Sequence, residues 1–324
     1  MIRDLDNAFR VRPLVLDGAL GTELEGRGVN TSGKSWTARG LVSSPDLIFR
    51  VHKDYLYEGA DILTANTFRT NPRALKDTGL DAEALTKKAV RIARKARRMK
   101  DRGQQVAGSI APVEDCFSPE LVPASDAALV EEHRVMARWL DEAKVDIILI
   151  ETMNTLREAL CALKAAKEES EKYVWVSLVP KDGERIGDDP TMLDGTPLDY
   201  AVTRLKEGGA HLVSLNCAPV SVILSALPLF SKAAKKAGVW FGCYPNVSEK
   251  LPDGSWNLHA SDNRRMAACA LDWMKAGAVV VGSCCHSTPR TTSLIEMKRN
   301  LFYLHKEDEI GWDNDENLPE YMLW

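Results

Sequence analysis

Eight short apolar runs recur along the chain, separated by longer segments in which hydrophobic residues return every three or four positions. The runs are PLVLD (13–17), DILTA (61–65), QVAGSI (105–110), VDIILIE (145–151), YVWVSLV (173–179), HLVSLN (211–216), VWFGCY (239–244) and AVVVGS (278–283). Most are apolar throughout rather than alternating, the mark of strands covered on both faces in a parallel sheet. The intervening segments carry helical spacing: Leu47, Val51 and Tyr55; Leu85, Ala89 and Ile92; Leu129, Met136 and Leu140. Ser44-Pro45, Ser125 and Ser261-Asp262 stand where helix N-caps belong. Eight strands alternating with helices predict a single (β/α)8 TIM barrel, since eight is the number at which such a sheet closes. The barrel is predicted over residues 1–306, with a separate tail over 307–324.

Composition narrows the partners. A formal charge of −4 on 324 residues provides no global field for nucleic acid or anionic membrane. No apolar stretch approaches the roughly 20 residues of a membrane span, and MIRDLDNAFR is too charged for a signal peptide. The expectation is a cytoplasmic protein with no membrane or nucleic-acid partner. Seven cysteines, odd in number and thinly spread, then point to metal binding or chemistry rather than disulfides. The stretch KKAVRIARKARRMKDR (87–102) repeats its apolar residues at helical spacing without interleaved aromatics, which predicts a solvated helix face rather than an RNA-binding one. The tail from Glu307 to Trp324 has seven acids and no Lys or Arg, yet ends YMLW. An association role is expected for it, its aromatics docking on the barrel or on a second subunit of a homo-oligomer. KDGERIGDDPTMLDG (181–195) is a candidate lid, or an ordered surface loop.

Barrel active sites lie at the C-terminal ends of the strands. Those ends read Asp17-Gly18, Asn66-Thr67-Phe68, Ala111-Pro112, Glu151-Thr152, Pro180, Asn216-Cys217, Tyr244-Pro245-Asn246 and Cys284-Cys285-His286. Cys217 ends the sixth strand and Cys284 and Cys285 the eighth, so all three can face one mouth. Three thiolates suit Zn2+ or another soft cation and leave a fourth position for water or substrate. Pro289 suits the first turn of a helix whose dipole would favour thiolates at Cys284 and Cys285. His286 could complete a closed Cys3His site, but consecutive side chains cannot all converge on one ion, which turns it toward the loop. Cys116, Cys161, Cys243 and Cys269 fall in loops, helices or mid-strand and read as packing. A zinc hydrolase would carry His and carboxylate ligands, and no H-E-x-x-H occurs.

In combination, several segments resemble the homocysteine S-methyltransferase family over nearly the whole chain. They are LDGALGTELEGRG (16–28), SWTARGL followed by PDLI, YLYEGADILTANTF (55–68), DIILIETMNTLREA (146–159), DGTPL (194–198), SLNCAP (214–219), YPN (244–246) and GSCCHSTP (282–289). The resemblance departs at Ser283, where the family mostly has a second Gly, and at Val247. It implies that Cys217, Cys284 and Cys285 bind zinc and that Asp17 and Glu151 hold the amino group of homocysteine. Gly18, Thr67 and Asn216, at strand ends, join these as candidate substrate-binding residues, and Trp36, Phe68 and Tyr244 offer aromatic faces to an onium methyl donor. The implied reaction is zinc-dependent methyl transfer to homocysteine, forming methionine, because a metal-bound thiol is deprotonated whereas a free one, of pKa about 8.5, is not. The barrel uses almost the whole chain, so the donor is expected to be a free small molecule. S-methylmethionine comes first and S-adenosylmethionine second among sulfonium donors. Betaine, or a barrel that binds zinc and a thiol amino acid without turnover, is the alternative.

Overall fold

The protein is described here by a computed structural model over residues 5–100, 103–181, 189–250, 256–257 and 262–308. One sheet holds eight parallel strands: β1 (Leu14–Val15), β2 (Ile62–Ala65), β3 (Gln105–Ile110), β4 (Ile147–Met153), β5 (Tyr173–Leu178), β6 (Leu212–Pro219), β7 (Trp240–Asn246) and β8 (Val280–Val281). Strands adjacent in the chain are adjacent in the sheet, and β8 returns to β1 with Leu14 opposite Val280. The last seam is a parallel bridge between Leu16 and Ile62, with Asp17 N donating to Ile62 O at 3.0 Å and Asp61 N to Val15 O at 2.8 Å. That bridge closes the ring, and the fold is a TIM barrel.

The helices are α1 (Leu5–Val11), α2 (Leu20–Gly26), α3 (Pro45–Tyr57), α4 (Ala82–Arg97), α5 (Asp126–Glu142), α6 (Leu156–Glu169), α7 (Leu198–Glu207), α8 (Val220–Ala237), α9 (Asp262–Ala276) and α10 (Pro289–Asp308), beside a short turn of helix at Gly40–Ser43. Ser125 caps α5 by accepting from Ala128 N at 3.2 Å, and Asp81 does the same for α4 from Ala84 N at 2.9 Å. Pro45 opens α3, but Ser44 makes no side-chain cap bond. Ser261 lies outside the described residues. Among those residues no helix is long and apolar enough to cross a membrane.

The interior of the barrel is filled by Leu14, Leu16, Ile62, Ile147, Leu149, Trp175, Leu212 and Val280, packed in one cluster with Leu5 and Phe9 of α1. Phe9 lies 6.0 Å from the Trp175 ring and 5.7 Å from that of Trp240, at the start of β7. Thus α1 plugs the bottom of the barrel and leaves the opposite, C-terminal face for chemistry. A second apolar layer joins strands to helices, for example Ile148 and Val176 with Met136, Leu140, Ala162 and Leu163. Residue volumes must match there, because interiors are close-packed. On α4, Leu85, Ala89, Val90, Ala93 and Ala96 are buried while Lys87 bridges Glu83 and Glu142 and Arg97 bridges Asp146, so the basic run is a solvated, ion-paired face.

Strand ends differ from the sequence reading in a way that matters. β1 and β8 shrink to two residues, and just past β1 the Asp17 carboxylate, not a ladder carbonyl, accepts Thr64 N at 2.8 Å. β4, β6 and β7 instead run on to Met153, Pro219 and Asn246, and both β4 and β6 shift register near their ends. The candidate lid begins and ends in a small hairpin pairing Pro180–Lys181 with Thr191–Met192, and Asp194 behind it accepts from Leu156 N at 3.0 Å at the start of α6. Its residues 182–188 lie outside the described residues. So does the tail beyond Asp308, where the expected boundary at 307 falls inside α10.

Candidate active site

Two backbone irregularities build the mouth. Thr152 and Cys217 have φ of 61° and 54°, in the left-handed region, at the register shifts of β4 and β6. A β-branched residue there is an outlier, of the kind that costs about 1–3 kcal/mol and survives only where its surroundings impose it. The surroundings are each other: Thr152 N donates to Asn216 Oδ1 at 3.2 Å, and Asn216 Nδ2 donates to Thr152 Oγ1 at 2.9 Å. These bulges re-aim the side chains that follow them.

The cysteine pair is held by the end of β7. Cys284 N donates to Pro245 O at 2.7 Å, Cys285 N to Asn246 Oδ1 at 3.1 Å, and Val247 N to Cys285 O at 3.0 Å. His286, at φ 63°, turns away: its N donates to Thr22 Oγ1 at 3.1 Å and its Nδ1 meets Ser248 Oγ at 2.6 Å. The three sulfurs of Cys217, Cys284 and Cys285 lie within 4.8 Å of one another, and Cys217 and Cys285 are 3.8 Å apart. A tetrahedral metal with bonds of about 2.3 Å to sulfur spaces its ligands at roughly 3.8 Å. The trio therefore fits a single zinc-sized cation. Cys217 is buried and the pair half-buried, which leaves one side of the trio open. Hydrogen bonds with Cys217 and Cys284 hold the Cys285 sulfur well below the usual thiol range, while bonds with Cys284 and Cys285 push Cys217 above it.

Two buried carboxylates face the thiols. Asp17 accepts from Thr64 N and Thr64 Oγ1, both at 2.8 Å. Glu151 accepts from Ser109 Oγ at 2.5 Å, and Tyr244 Oη lies 3.3 Å from its Oε2 and 2.5 Å from Ser177 Oγ. Burial pushes both acids up to about 7, against the hydrogen bonds they accept, and the Glu151 charge further raises Asp17. Two acids so destabilised in their ionised form are poised to take a cation.

Two cavities meet at the sulfurs. The inner one, of about 100 Å3, is lined by Asp17, Gly18, Glu151, Thr152 and Tyr244 together with all three thiols. The outer one, of about 530 Å3, opens between the Gly33–Trp36 segment and the loops after β2 and β3. Trp36, Phe68, Cys217 and Cys285 line both and form the wall between them. Trp36 and Phe68 stand edge to face at 5.7 Å. Thr37 and Asn66 brace them, Thr37 Oγ1 donating to Asn66 Oδ1 at 2.6 Å and Asn66 Nδ2 to Thr37 O at 3.0 Å.

Not every candidate lines these cavities. Thr67 turns to β3, its Oγ1 donating to Ser109 O and accepting from Ser109 N, both at 2.8 Å, so it staples the strand that carries Ser109. The Asn216 amide is consumed by Thr152. Gly18 is in the wall, where a Cβ would lie 2.5 Å from Ser287 Oγ and 2.8 Å from the Tyr55 ring. Tyr244 belongs to the inner cavity and braces Glu151, whereas the aromatic rings lining the outer cavity are Trp36, Phe68 and Phe117. Cys116 is buried in the wall of the outer cavity, outside the trio. Sequence reasoning missed Thr64 and Ser109, ordinary strand residues whose partners appear only on closure, and Asn246, whose side chain anchors Cys285.

The sequence profile of the homocysteine S-methyltransferases matches residues 14–298. The chain belongs to the homocysteine S-methyltransferase family. Among its relatives in that family, the homocysteine S-methyltransferase YbgG of Bacillus subtilis is 31% identical over 296 residues, covering 85% of this chain and 91% of its own. The homocysteine S-methyltransferase of Escherichia coli is 31% identical over 307 residues, covering 88% and 94%. The crystal structure of the Escherichia coli homocysteine methyltransferase MmuM in its metallated form superposes with a TM-score of 0.76 at 27% identity, over 91% of this chain and 98% of that one. Across this homocysteine S-methyltransferase chain the matched region spans every strand and all three thiols.

Proposed function

We propose that the protein transfers a methyl group from a small sulfonium donor to the thiol of homocysteine, with zinc held by Cys217, Cys284 and Cys285. The observation that carries this reading is the position of the sulfur trio: metal-spaced, and set in the wall between a small carboxylate-lined cavity and a larger aromatic-rimmed one. A cation held there with its fourth position open would keep the acceptor thiol deprotonated at neutral pH. Asp17 and Glu151 supply two carboxylates for one ammonium, which fixes the amino acid with its sulfur toward the trio and lets proximity contribute to the rate. Trp36 and Phe68 offer ring faces to the donor cation and exclude water from its path.

Electron bookkeeping is simple. The acceptor sulfur's lone pair attacks the methyl carbon in line, the donor's sulfur–carbon bond breaks, and its pair returns to the donor sulfur. The donor leaves as a neutral thioether, so no general acid is required. With S-methylmethionine, acceptor and donor both become methionine. S-methylmethionine is placed first, with S-adenosylmethionine as the other sulfonium donor and betaine as the runner-up. The test is methionine production by zinc-loaded protein from homocysteine and each donor, with and without chelator. Turnover with S-methylmethionine that chelation abolishes is expected; turnover with betaine alone would reverse the donor order, and none with any donor would sink the reading.

A further inference from the structure

The outer cavity contains two guanidinium groups, and they are not equivalent. Arg73 is fully engaged by acids: Nε and Nη2 donate to the Glu132 carboxylate at 2.8 and 2.5 Å, and Nη1 to Glu114 Oε1 at 2.9 Å. Arg69 has no acid. Its Nη1 donates to the main-chain carbonyls of Pro112 at 3.2 Å and Glu114 at 2.8 Å, and its Cζ lies 5.0 Å from the centroid of the Phe68 ring. Among the described residues nothing bonds its Nε or Nη2. Glu114 makes the difference plain, since it turns its carboxylate to Arg73 and only its carbonyl to Arg69. A full positive charge is thereby fixed in the cavity wall, half-buried, with donors left over.

A planar guanidinium with unused donors matches a carboxylate, to which it can give two parallel hydrogen bonds. Arg69 lines the outer cavity but not the inner one, so its partner is not the acceptor amino acid. Its neighbour Phe68 is part of the shared wall. A simple onium cation entering here would meet like charge. An onium compound with its carboxylate on Arg69 is drawn in, and its onium end lies toward Trp36 and Phe68, which share the wall with the sulfurs. We infer that Arg69 anchors the carboxylate of the methyl donor, so that the outer cavity selects onium compounds bearing a carboxylate over onium cations that lack one. This rests on the donor reading above and deepens it by assigning the residue that recognises the donor's far end.

The experiment alters the carboxylate on each side of the contact. Binding of S-methylmethionine and of its methyl ester to the zinc-loaded protein is measured by calorimetry for wild type, Arg69→Met and Arg69→Lys. The expected result is a preference of about 10-fold or more for the acid in wild type, the loss expected when a charged hydrogen bond is removed. That preference should vanish in Arg69→Met and return in part in Arg69→Lys, while homocysteine affinity stays within about twofold. Acid and ester bound alike by wild type, or the preference kept in Arg69→Met, overturns the assignment, and the first of these needs no variant to fold. Methyl transfer from S-methylmethionine by wild type, assayed in parallel, reports on the functional reading alone, so the two failures are distinguishable.

Discussion

Asn216 and Thr152 hold each other across two strands: the Asn216 side chain accepts from Thr152 N at 3.2 Å and donates to Thr152 Oγ1 at 2.9 Å. Each stands at a bulge beside a side chain that lines the inner cavity, Glu151 on one strand and Cys217 on the other. Asn216→Ala would strand the buried Thr152 N–H and free both left-handed residues to relax. The expected cost is about 1–3 kcal/mol of stability, with zinc affinity falling about 10- to 100-fold, as for other residues that orient metal ligands. Urea unfolding and a competitive zinc titration measure the two effects; unaltered zinc affinity would mean that the strands bulge independently.

Two buried cysteines near the mouth should behave oppositely. Cys217→Ser removes one vertex of the trio and is expected to abolish stoichiometric zinc and methyl transfer together. Cys116→Ala, in the outer wall, should retain zinc at the wild-type ratio. Metal analysis of the purified variants decides, and zinc lost from Cys116→Ala would enlarge the ligand set beyond the three sulfurs.

Glu151 links pH to both stability and binding. Its folded value, raised to about 7 from 4.5, means that the native state keeps a proton the unfolded chain has already lost. Stability from this group is therefore full below about 4.5 and is lost as pH rises through 7. Glu151→Gln carries no such proton, so in metal-free protein it should be more stable than wild type by up to about 3 kcal/mol at pH 8 and by much less at pH 5. Urea melts at the two pH values test this, and an equal difference at both contradicts it. The proposed binding of the homocysteine ammonium requires the ionised acids, so wild-type kcat/KM for homocysteine should fall as pH drops below about 7.

Gly21 makes room for Trp36, because a Cβ at that position would run into the indole. Gly21→Ala should displace the ring from the wall shared by the two cavities. The KM for the sulfonium donor should rise several-fold and that for homocysteine much less. Steady-state kinetics with each substrate varied in turn separate these effects, and a rise confined to homocysteine would assign Trp36 to the acceptor instead.

The barrel was legible in the sequence because strands buried on both faces must be apolar throughout, and because the strand ends then fall at one face. The thiols could be gathered by that rule alone. What the pattern could not carry is the left-handed backbone at Thr152 and Cys217, since neither residue type favours it and the cause is a contact between strands 64 positions apart. For the same reason Thr67 looked like a site residue, when closure turns its hydroxyl to Ser109. Arg69 was invisible for a different reason: its significance lies in the acid it lacks, and the sequence does not reveal that Glu114 is claimed by Arg73.

The proposed chemistry requires three cysteine sulfurs to hold one zinc and leave it open to the acceptor thiol. Zinc X-ray absorption on the loaded protein, with and without homocysteine, tests it most directly. The predicted result is three sulfurs and one lighter atom without homocysteine, changing to four sulfurs at about 2.3 Å when it is added. A coordination shell that homocysteine leaves unaltered would contradict the account.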